Sequence, residues 1–379
     1  MPDETAPRVR LNHQLFGGGA PFYRQPVFLA AVGVVALLAV WLTWQYRAEL
    51  FSSPAERYQS AYNEGNLDGA VALARAMLAE DPESALARKA LAAALVERAA
   101  LGQSADGEAD VREALEIAAQ LAREGDDPDV ERLAGFALTL LGDNAGAIEH
   151  YRRAVALAPA DANSHVSFGQ ALELTGKNAE ASSAYERAAK LDSKNGAALV
   201  SLARIKLQEK DYQSVHSLTL RAFRDENQAT AAEAHRIRAL AYSEEGNQVS
   251  AIDEAEVAVA LLHNSVPTLL TLGEVKYDAV FAGRPGDVPA RATEILKIAE
   301  WALALAPGSA EANFLAYRAA VLGGKAAEAE RYAAATRAAL GTDRTISEQK
   351  KTYIRLFVDR ATTAKVTVTK VSTSTEQAQ

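Results

Sequence analysis

An uninterrupted apolar run lies near the N-terminus, with the sequence PVFLAAVGVVALLAVWLTWQY beginning at Pro26. No charged residue stands between Arg24 and Arg47, and aromatic residues flank both ends of the run. A helix rises about 1.5 Å per residue, so a run of this length matches a hydrocarbon core about 30 Å thick. Flanking aromatic residues are typical of spanning helices. The pattern predicts a single transmembrane helix over residues 26–46, preceded by a flexible tail over residues 1–25.

Two other structures would give a similar run: a cleaved signal peptide and a buried helix of a soluble protein. A signal peptide has a short basic start and a shorter apolar core. Here the preceding segment is longer and includes Asp3 and Glu4. Few helices of soluble proteins continue this far without a charge. The sequence therefore favours an uncleaved membrane anchor.

Basic residues near the run indicate its orientation. Arg8, Arg10 and Arg24 precede it, and Arg47 and Arg57 are the nearest basic residues that follow. The cytoplasmic flank of a spanning helix carries the excess of Lys and Arg. We therefore expect a single-pass protein of the inner (cytoplasmic) membrane, with its N-terminus in the cytoplasm and the rest of the chain in the periplasm.

Beyond the apolar run, pairs of amphipathic helical segments recur at a constant spacing. The clearest pair, PDVERLAGFALTLLGDNAGAIEHYRRAVALAP, begins at Pro128 and ends at Pro159, and the next pair begins at Ala162. Superposed with an offset of 34 residues, the two pairs share five positions. The matches are Gly135 with Gly169, Gly142 with Gly176, Ala147 with Ala181, Tyr151 with Tyr185, and Ala154 with Ala188.

The matched residues have the sizes that close helix packing requires. A side chain at Gly135 or Gly169 would hold the two helices of a pair apart, and the alanines allow the same close approach from the second helix. The two tyrosines are expected to fill the volume between neighbouring pairs. Gly142 and Gly176 can end the first helix because glycine adopts the left-handed conformation at little cost.

The period, the small residue in the first helix, the aromatic residue in the second helix and the closing proline together resemble the tetratricopeptide repeat. Weaker copies lie on both sides, so the resemblance predicts an all-α, tetratricopeptide-like α-solenoid of about seven helical hairpins over residues 51–340. The consensus tryptophan of the first helix is absent from every unit. A closing helix over residues 345–362 is expected to cover the last apolar face with a polar outer side. Residues 363–379 carry too little apolar surface to fold alone.

Composition and motifs argue against several classes of chemistry. The formal net charge of -9 opposes a nucleic-acid-binding surface. The absence of cysteine excludes disulfides, thiol nucleophiles and cysteine-ligated metals. The chain has no glycine-rich phosphate-binding motif, and its six histidines never pair at metal-ligand spacing. His165 and His235 occupy the position of the missing tryptophan, and we interpret them as packing residues. We therefore expect no cofactor, no metal and no catalysis.

The resemblance also implies a binding surface, because the first helix of each unit lines a concave groove in this family. The implied groove residues combine an apolar strip with arginines, which suits an amphipathic helix or an extended peptide of a partner protein. The alternative for each residue is packing against the next hairpin. The implied positions are Phe136, Leu140, Val166, Gln170, Leu174, Val200, Arg204, Leu207, Arg236, Leu240, Phe314 and Arg318, with Leu270, Tyr277 and Leu322 in the same register.

These features predict a membrane-anchored scaffold that binds a partner protein and supports the assembly of an envelope-associated complex. Two alternatives stay open at this stage. One is an anchored receptor whose repeat array faces the cytoplasm, and the other is a regulatory subunit of a membrane enzyme complex.

Overall fold

The computed structural model describes residues 53–223, 227–282, 287–343 and 346–359. The predicted N-terminal tail, the predicted transmembrane helix over residues 26–46 and the predicted C-terminal tail over residues 363–379 lie outside this range. Within it, no helix is both long enough and apolar enough to cross a bilayer. The chain divides into two compact units, one ending at Arg123 and the other beginning at Glu124.

The described residues form seventeen α-helices and no β-strand. The first sixteen helices form eight successive hairpins, one more than the sequence predicts, and the last helix stands alone. We call the first helix of a hairpin helix A and the second helix B. The helices are α1 Pro54–Asn63, α2 Leu67–Glu80, α3 Ala85–Ala100, α4 Gly107–Glu124, α5 Pro128–Leu140, α6 Asn144–Leu157, α7 Ala162–Leu174, α8 Asn178–Leu191, α9 Gly196–Gln208, α10 Tyr212–Ala222, α11 Gln228–Glu244, α12 Gln248–Leu261, α13 Val266–Phe281, α14 Val288–Leu305, α15 Ala310–Leu322, α16 Ala326–Thr342 and α17 at 348–359.

Short polar turns separate helix A from helix B, and their residues explain where each helix ends. Gly142 and Gly176 follow α5 and α7 with φ angles of 82° and 75°, as the sequence predicts. The next residue caps the following helix in the first of these turns, where the Asp143 carboxylate accepts a hydrogen bond from the backbone of Gly146 at 2.9 Å. The equivalent turn of the fifth hairpin carries Lys210 in the left-handed conformation, with a φ of 60°.

The first unit is held together by an ion-pair network as well as by apolar packing. Arg98 of α3 donates two hydrogen bonds to Asp110 of α4, at 2.9 and 2.8 Å, and a third to Asp68 of α2 at 2.9 Å. Burial opposes ionisation of Asp110, but its hydrogen bonds with Arg98 and Ser104 and the nearby arginine charges together outweigh that effect and lower its pKa. The Tyr58 hydroxyl donates to the Ala90 carbonyl at 2.8 Å and so joins α1 to α3.

The second unit is a solenoid of helices in two layers. Each helix B packs against its own helix A and against helix A of the next hairpin, and successive A helices also contact one another. Within the described residues, no two successive B helices make a contact as extensive. The A helices are therefore closer together than the B helices, and they form the inner, concave layer of this unit. Its buried residues form two clusters that meet at α11.

The glycines that recur every 34 residues accommodate tyrosine rings. A Cβ atom on Gly135 would lie 2.9 Å from the Tyr151 ring, and one on Gly169 would lie 2.6 Å from the Tyr185 ring. Each tyrosine thus packs against helix A of its own hairpin. Tyr185 also reaches Ser201 in helix A of the next hairpin. The alanines of the repeat are buried beside them: Ala147, Ala154, Ala181 and Ala188. Pro159 follows the end of α6 and is exposed.

Helix α17 covers the end of the last hairpin with one of its faces. Ile354 and Val358 are fully buried in the second core cluster. The side of α17 that faces away from the hairpin carries Thr352, Arg355 and Asp359, and Leu356 is exposed among them.

Candidate partner-binding surface

The N-terminal part of the concave layer exposes apolar side chains. Leu140 at the end of α5 is 39% exposed, and Leu174 at the end of α7 is 60% exposed. Gln170 lies one turn before Leu174 and is also exposed, whereas Phe136 is half-buried and packs against the core. The two leucines are 34 residues apart, so they occupy equivalent positions in the repeat. Their helices, α5 and α7, are in contact.

Four of the predicted groove residues are core residues. Val166, Val200, Leu270 and Phe314 are each less than one-tenth exposed, so most of each side chain packs inside the array. Leu207 is half-buried and packs against the core cluster of the central hairpins. For these positions, packing against the neighbouring hairpin prevails over exposure in the groove.

A polar group follows the apolar part along the concave layer. Glu173 of α7 accepts a hydrogen bond from the Tyr185 hydroxyl at 3.0 Å and another from Arg204 of α9 at 2.9 Å. This arrangement joins the inner layer to the tyrosine that packs on Gly169. Burial, followed by the adjacent Glu173 carboxylate, raises the pKa of Tyr185. The phenol therefore remains a hydrogen-bond donor at neutral pH.

The C-terminal part of the concave layer contains a cleft of about 720 Å³, which we call the α13 cleft. It brings together three predicted groove residues, Arg236 and Leu240 of α11 and Leu270 of α13. Glu274 of α13, Glu311 of α15 and Lys350 of α17 also line it. The volume lies within the range of about 300–1,000 Å³ that is usual for ligand sites in proteins.

The two cations of the α13 cleft already have carboxylate partners. Arg236 donates two hydrogen bonds of 2.6 Å to Glu233, one turn earlier on the same helix. Lys350 forms an ion pair with Glu311. These pairs fix the positions of both cationic groups and offset much of their charge.

Beyond the α13 cleft, aromatic rings and α17 cover the remaining predicted positions. The Arg318 guanidinium lies 3.8 Å from the Tyr277 ring centroid and 5.5 Å from that of Phe314. The Phe314 ring makes edge contacts with Tyr353 and Phe357 of α17, at centroid distances of 6.3 and 5.4 Å. Helix α17 thus closes this end of the concave layer, and Leu322 is half-buried there.

Sequence reasoning missed Glu274, Glu311 and Lys350. Glu274 follows Leu270 by one helical turn, so the register that selected Leu270 could have found it. Lys350 lies in a helix outside the repeats and is 76 positions away in the chain. No periodicity relates such a residue to Glu274.

The histidines at the missing-tryptophan position have structural contacts. A ring nitrogen of His165 lies 3.1 Å from the Pro159 carbonyl oxygen. His235 stacks on Phe223 with a centroid distance of 4.0 Å, and its Nδ1 lies 2.6 Å from Glu254. Among the described residues, no group of three or more potential ligands has a geometry suited to a metal ion.

Comparison with protein families finds a match to one repeat. The family model described as "Tetratricopeptide repeat" matches residues 162–195, the unit formed by α7 and α8. No curated protein matches the chain by sequence.

Comparison with solved structures finds similar folds at low sequence identity. Yeast Tom70 is 14% identical with a TM-score of 0.53, and the match covers 79% of this chain and 59% of that one. The Cut9–Hcn1 hetero-tetramer of the APC/C gives 12% identity and a TM-score of 0.58, with coverages of 82% and 56%. A tetratricopeptide repeat protein from Parabacteroides merdae gives 14% identity and a TM-score of 0.50, with coverages of 70% and 97%. The chain thus spans less than two thirds of the first two, and these likenesses concern the fold alone.

Proposed function

We propose that this chain, whose residues 162–195 match the tetratricopeptide-repeat model, is a non-catalytic scaffold that binds a segment of a partner protein on the concave face of its second unit. The partner segment would lie across the A helices, first against the exposed leucines of α5 and α7 and then in the α13 cleft. An amphipathic helix or an extended peptide has the alternation of apolar and polar groups that such a surface requires.

The main observation that supports this proposal is the exposure of Leu140 and Leu174. Both side chains stand at equivalent positions on neighbouring A helices, and both are exposed, Leu174 more than Leu140. Apolar side chains grouped in this way are typical of interaction surfaces.

We further propose that residues 26–46 anchor the scaffold in the inner membrane, with its repeats in the periplasm, where it supports the assembly of an envelope complex. The uncharged run of the sequence and the arginines before it support this part of the proposal. Anchoring raises the effective concentration of a partner in the same membrane, so modest affinity in the groove suffices. Protease added to intact spheroplasts should digest the repeats, and complete protection would instead place them in the cytoplasm.

A photo-crosslinking residue at position 174 of the full chain tests the binding surface. We expect it to trap a defined partner band, and we expect Leu140→Glu in the same chain to reduce that band at least tenfold. The substitution places a charge where an apolar contact is proposed, and it leaves the core untouched because Leu140 is exposed.

The matched control is a crosslinker at position 220. Leu220 is 58% exposed and lies on α10, which is a B helix. If position 220 traps the same partner as position 174, or if Leu140→Glu leaves the band unchanged, the partner does not bind on the concave face.

A further inference from the structure

Glu274 is the one side-chain carboxylate lining the described α13 cleft that has no direct partner. Glu311 is paired with Lys350, and Asp343 accepts a hydrogen bond from the Ala310 backbone at 2.9 Å. No hydrogen bond or ion pair joins Glu274 to any other residue of the described part of the chain.

The surroundings of Glu274 do not compensate its charge. Burial raises the pKa of Glu274, and Lys350 and Arg318 act only from a distance in the opposite direction. Glu311 and Asp278 add to the increase because they are carboxylates themselves. A half-buried carboxylate without a direct partner is less stable when it is ionised, and a cation brought close to it offsets that cost.

The walls of the cleft suit a side chain that is apolar along its length and charged at its end. Leu240, Val266 and Leu270 line the cleft beside Glu274. The aliphatic part of a lysine or arginine can pack on such leucines while its charged end reaches the carboxylate. An incoming carboxylate would meet Glu274, Glu311 and Asp343 together, and both cations of the cleft already have partners.

We propose that the α13 cleft receives a lysine or arginine side chain of the partner segment and that Glu274 binds its charged end. This proposal rests on the proposed function, since it assigns the chemistry of one part of the same binding surface. It makes the C-terminal end of the groove selective for positive charge, while the exposed leucines of α5 and α7 select for apolar side chains.

Pools of acetylated and amidated heptapeptides, applied to the immobilised full chain, test the assignment. In each pool the central residue is Lys, Arg, norleucine or Glu, and the other six positions are randomised over Ala, Leu, Ser and Gln. We expect the Lys and Arg pools to be retained at least tenfold more than the norleucine pool, a difference of about 1.4 kcal/mol. Glu274→Gln should reduce this preference to less than about twofold. The control Glu330→Gln, at an exposed position of α16, should preserve it.

The outcomes separate this assignment from the proposed function. Equal retention of the Lys and norleucine pools, or a preference for the Glu pool, overturns the cationic assignment and leaves peptide binding on the concave face standing. A preference for Lys that survives Glu274→Gln overturns the role of Glu274. If the wild-type chain retains no pool, both the assignment and peptide binding in the groove are contradicted.

The pH dependence of stability gives a second readout that needs no ligand. Because the folded-state pKa of Glu274 is raised, the unfolded chain loses this proton first as the pH rises, and ionisation then penalises the folded state. Glu274→Gln should therefore raise the unfolding temperature at pH 7.5, and the gain should shrink as the pH falls towards the usual pKa of a glutamic acid. A lower unfolding temperature at pH 7.5 would mean that Glu274 has a stabilising partner in the folded chain and would overturn the proposal.

Discussion

The third and fourth hairpins fill the space between their two helices differently from the eighth hairpin. The small residue and the aromatic residue stand on opposite helices in the two cases. Counted from the glycine that ends helix A, the third and fourth hairpins place glycine on helix A and tyrosine on helix B. The eighth hairpin, counted from Gly324, places Tyr317 on helix A and Ala333 on helix B, and both are buried. The first hairpin has the same reversed pair, Tyr58 with Ala74. The combined volume of the two facing side chains is therefore constrained in these hairpins, while either helix can supply the ring.

The seventh hairpin shows what happens when both positions are small. It carries Gly273 on helix A and Ala299 on helix B, so neither helix supplies a ring. The space beside Gly273 is taken by Leu315 of the following A helix. A glycine at this position thus accommodates a rigid ring from its own hairpin in one region and a flexible side chain from the next hairpin in another.

The largest expected effect is the loss of the ring in the fourth hairpin. Tyr185→Ala should lower the free energy of unfolding by about 4 kcal/mol, since it removes a fully buried aromatic side chain and leaves a cavity beside Gly169. Urea unfolding followed by circular dichroism measures the change. The control Tyr353→Ala removes the same side chain from an exposed position on α17 and should cost much less. Equal losses would contradict the packing role given to Tyr185.

A smaller effect is expected from adding a methyl group at the equivalent glycines. Gly169→Ala should cost about 2 kcal/mol, because the Tyr185 ring is enclosed and cannot move away. Gly273→Ala should cost less than half as much, because the end of Leu315 can change rotamer. Thermal unfolding of the two variants gives the comparison, and a greater loss for Gly273→Ala would show that Leu315 is the more rigid neighbour.

The smallest expected effect concerns the turn of the fifth hairpin. Lys210 has the left-handed conformation that glycine adopts in the neighbouring turns, so Lys210→Gly should stabilise the chain by about 1 kcal/mol. Gly176→Ala places a side chain in the same conformation without a collision and should destabilise the chain by a similar amount. A loss of stability in Lys210→Gly would indicate that the lysine side chain has a stabilising role that outweighs its backbone strain.

The polar pairs at the missing-tryptophan position show which contacts between helices could be predicted from the sequence and which could not. Glu131 of helix A lies 2.7 Å from His150 of helix B in the third hairpin, whereas the sixth hairpin reverses the two types with His235 and Glu254 at 2.6 Å. Sequence reasoning identified the position and gave His235 a packing role. It also placed Glu131 at this position, but it did not predict that these residues pair with His150 and Glu254, although both pairs have the same separation of 19 residues.

The sequence by itself determined the repeat, the hairpins and the ends of their first helices, because these follow from local periodicity and from glycine's tolerance of positive φ. It could not decide which groove residues stay exposed, since Val166 and Leu174 share a register and differ only in what the next hairpin covers. It also could not join Glu274 to a cleft bounded by Lys350, or show that Tyr353 and Phe357 of α17 contact Phe314. Those properties depend on helices that are distant in the chain and become neighbours only when the array packs.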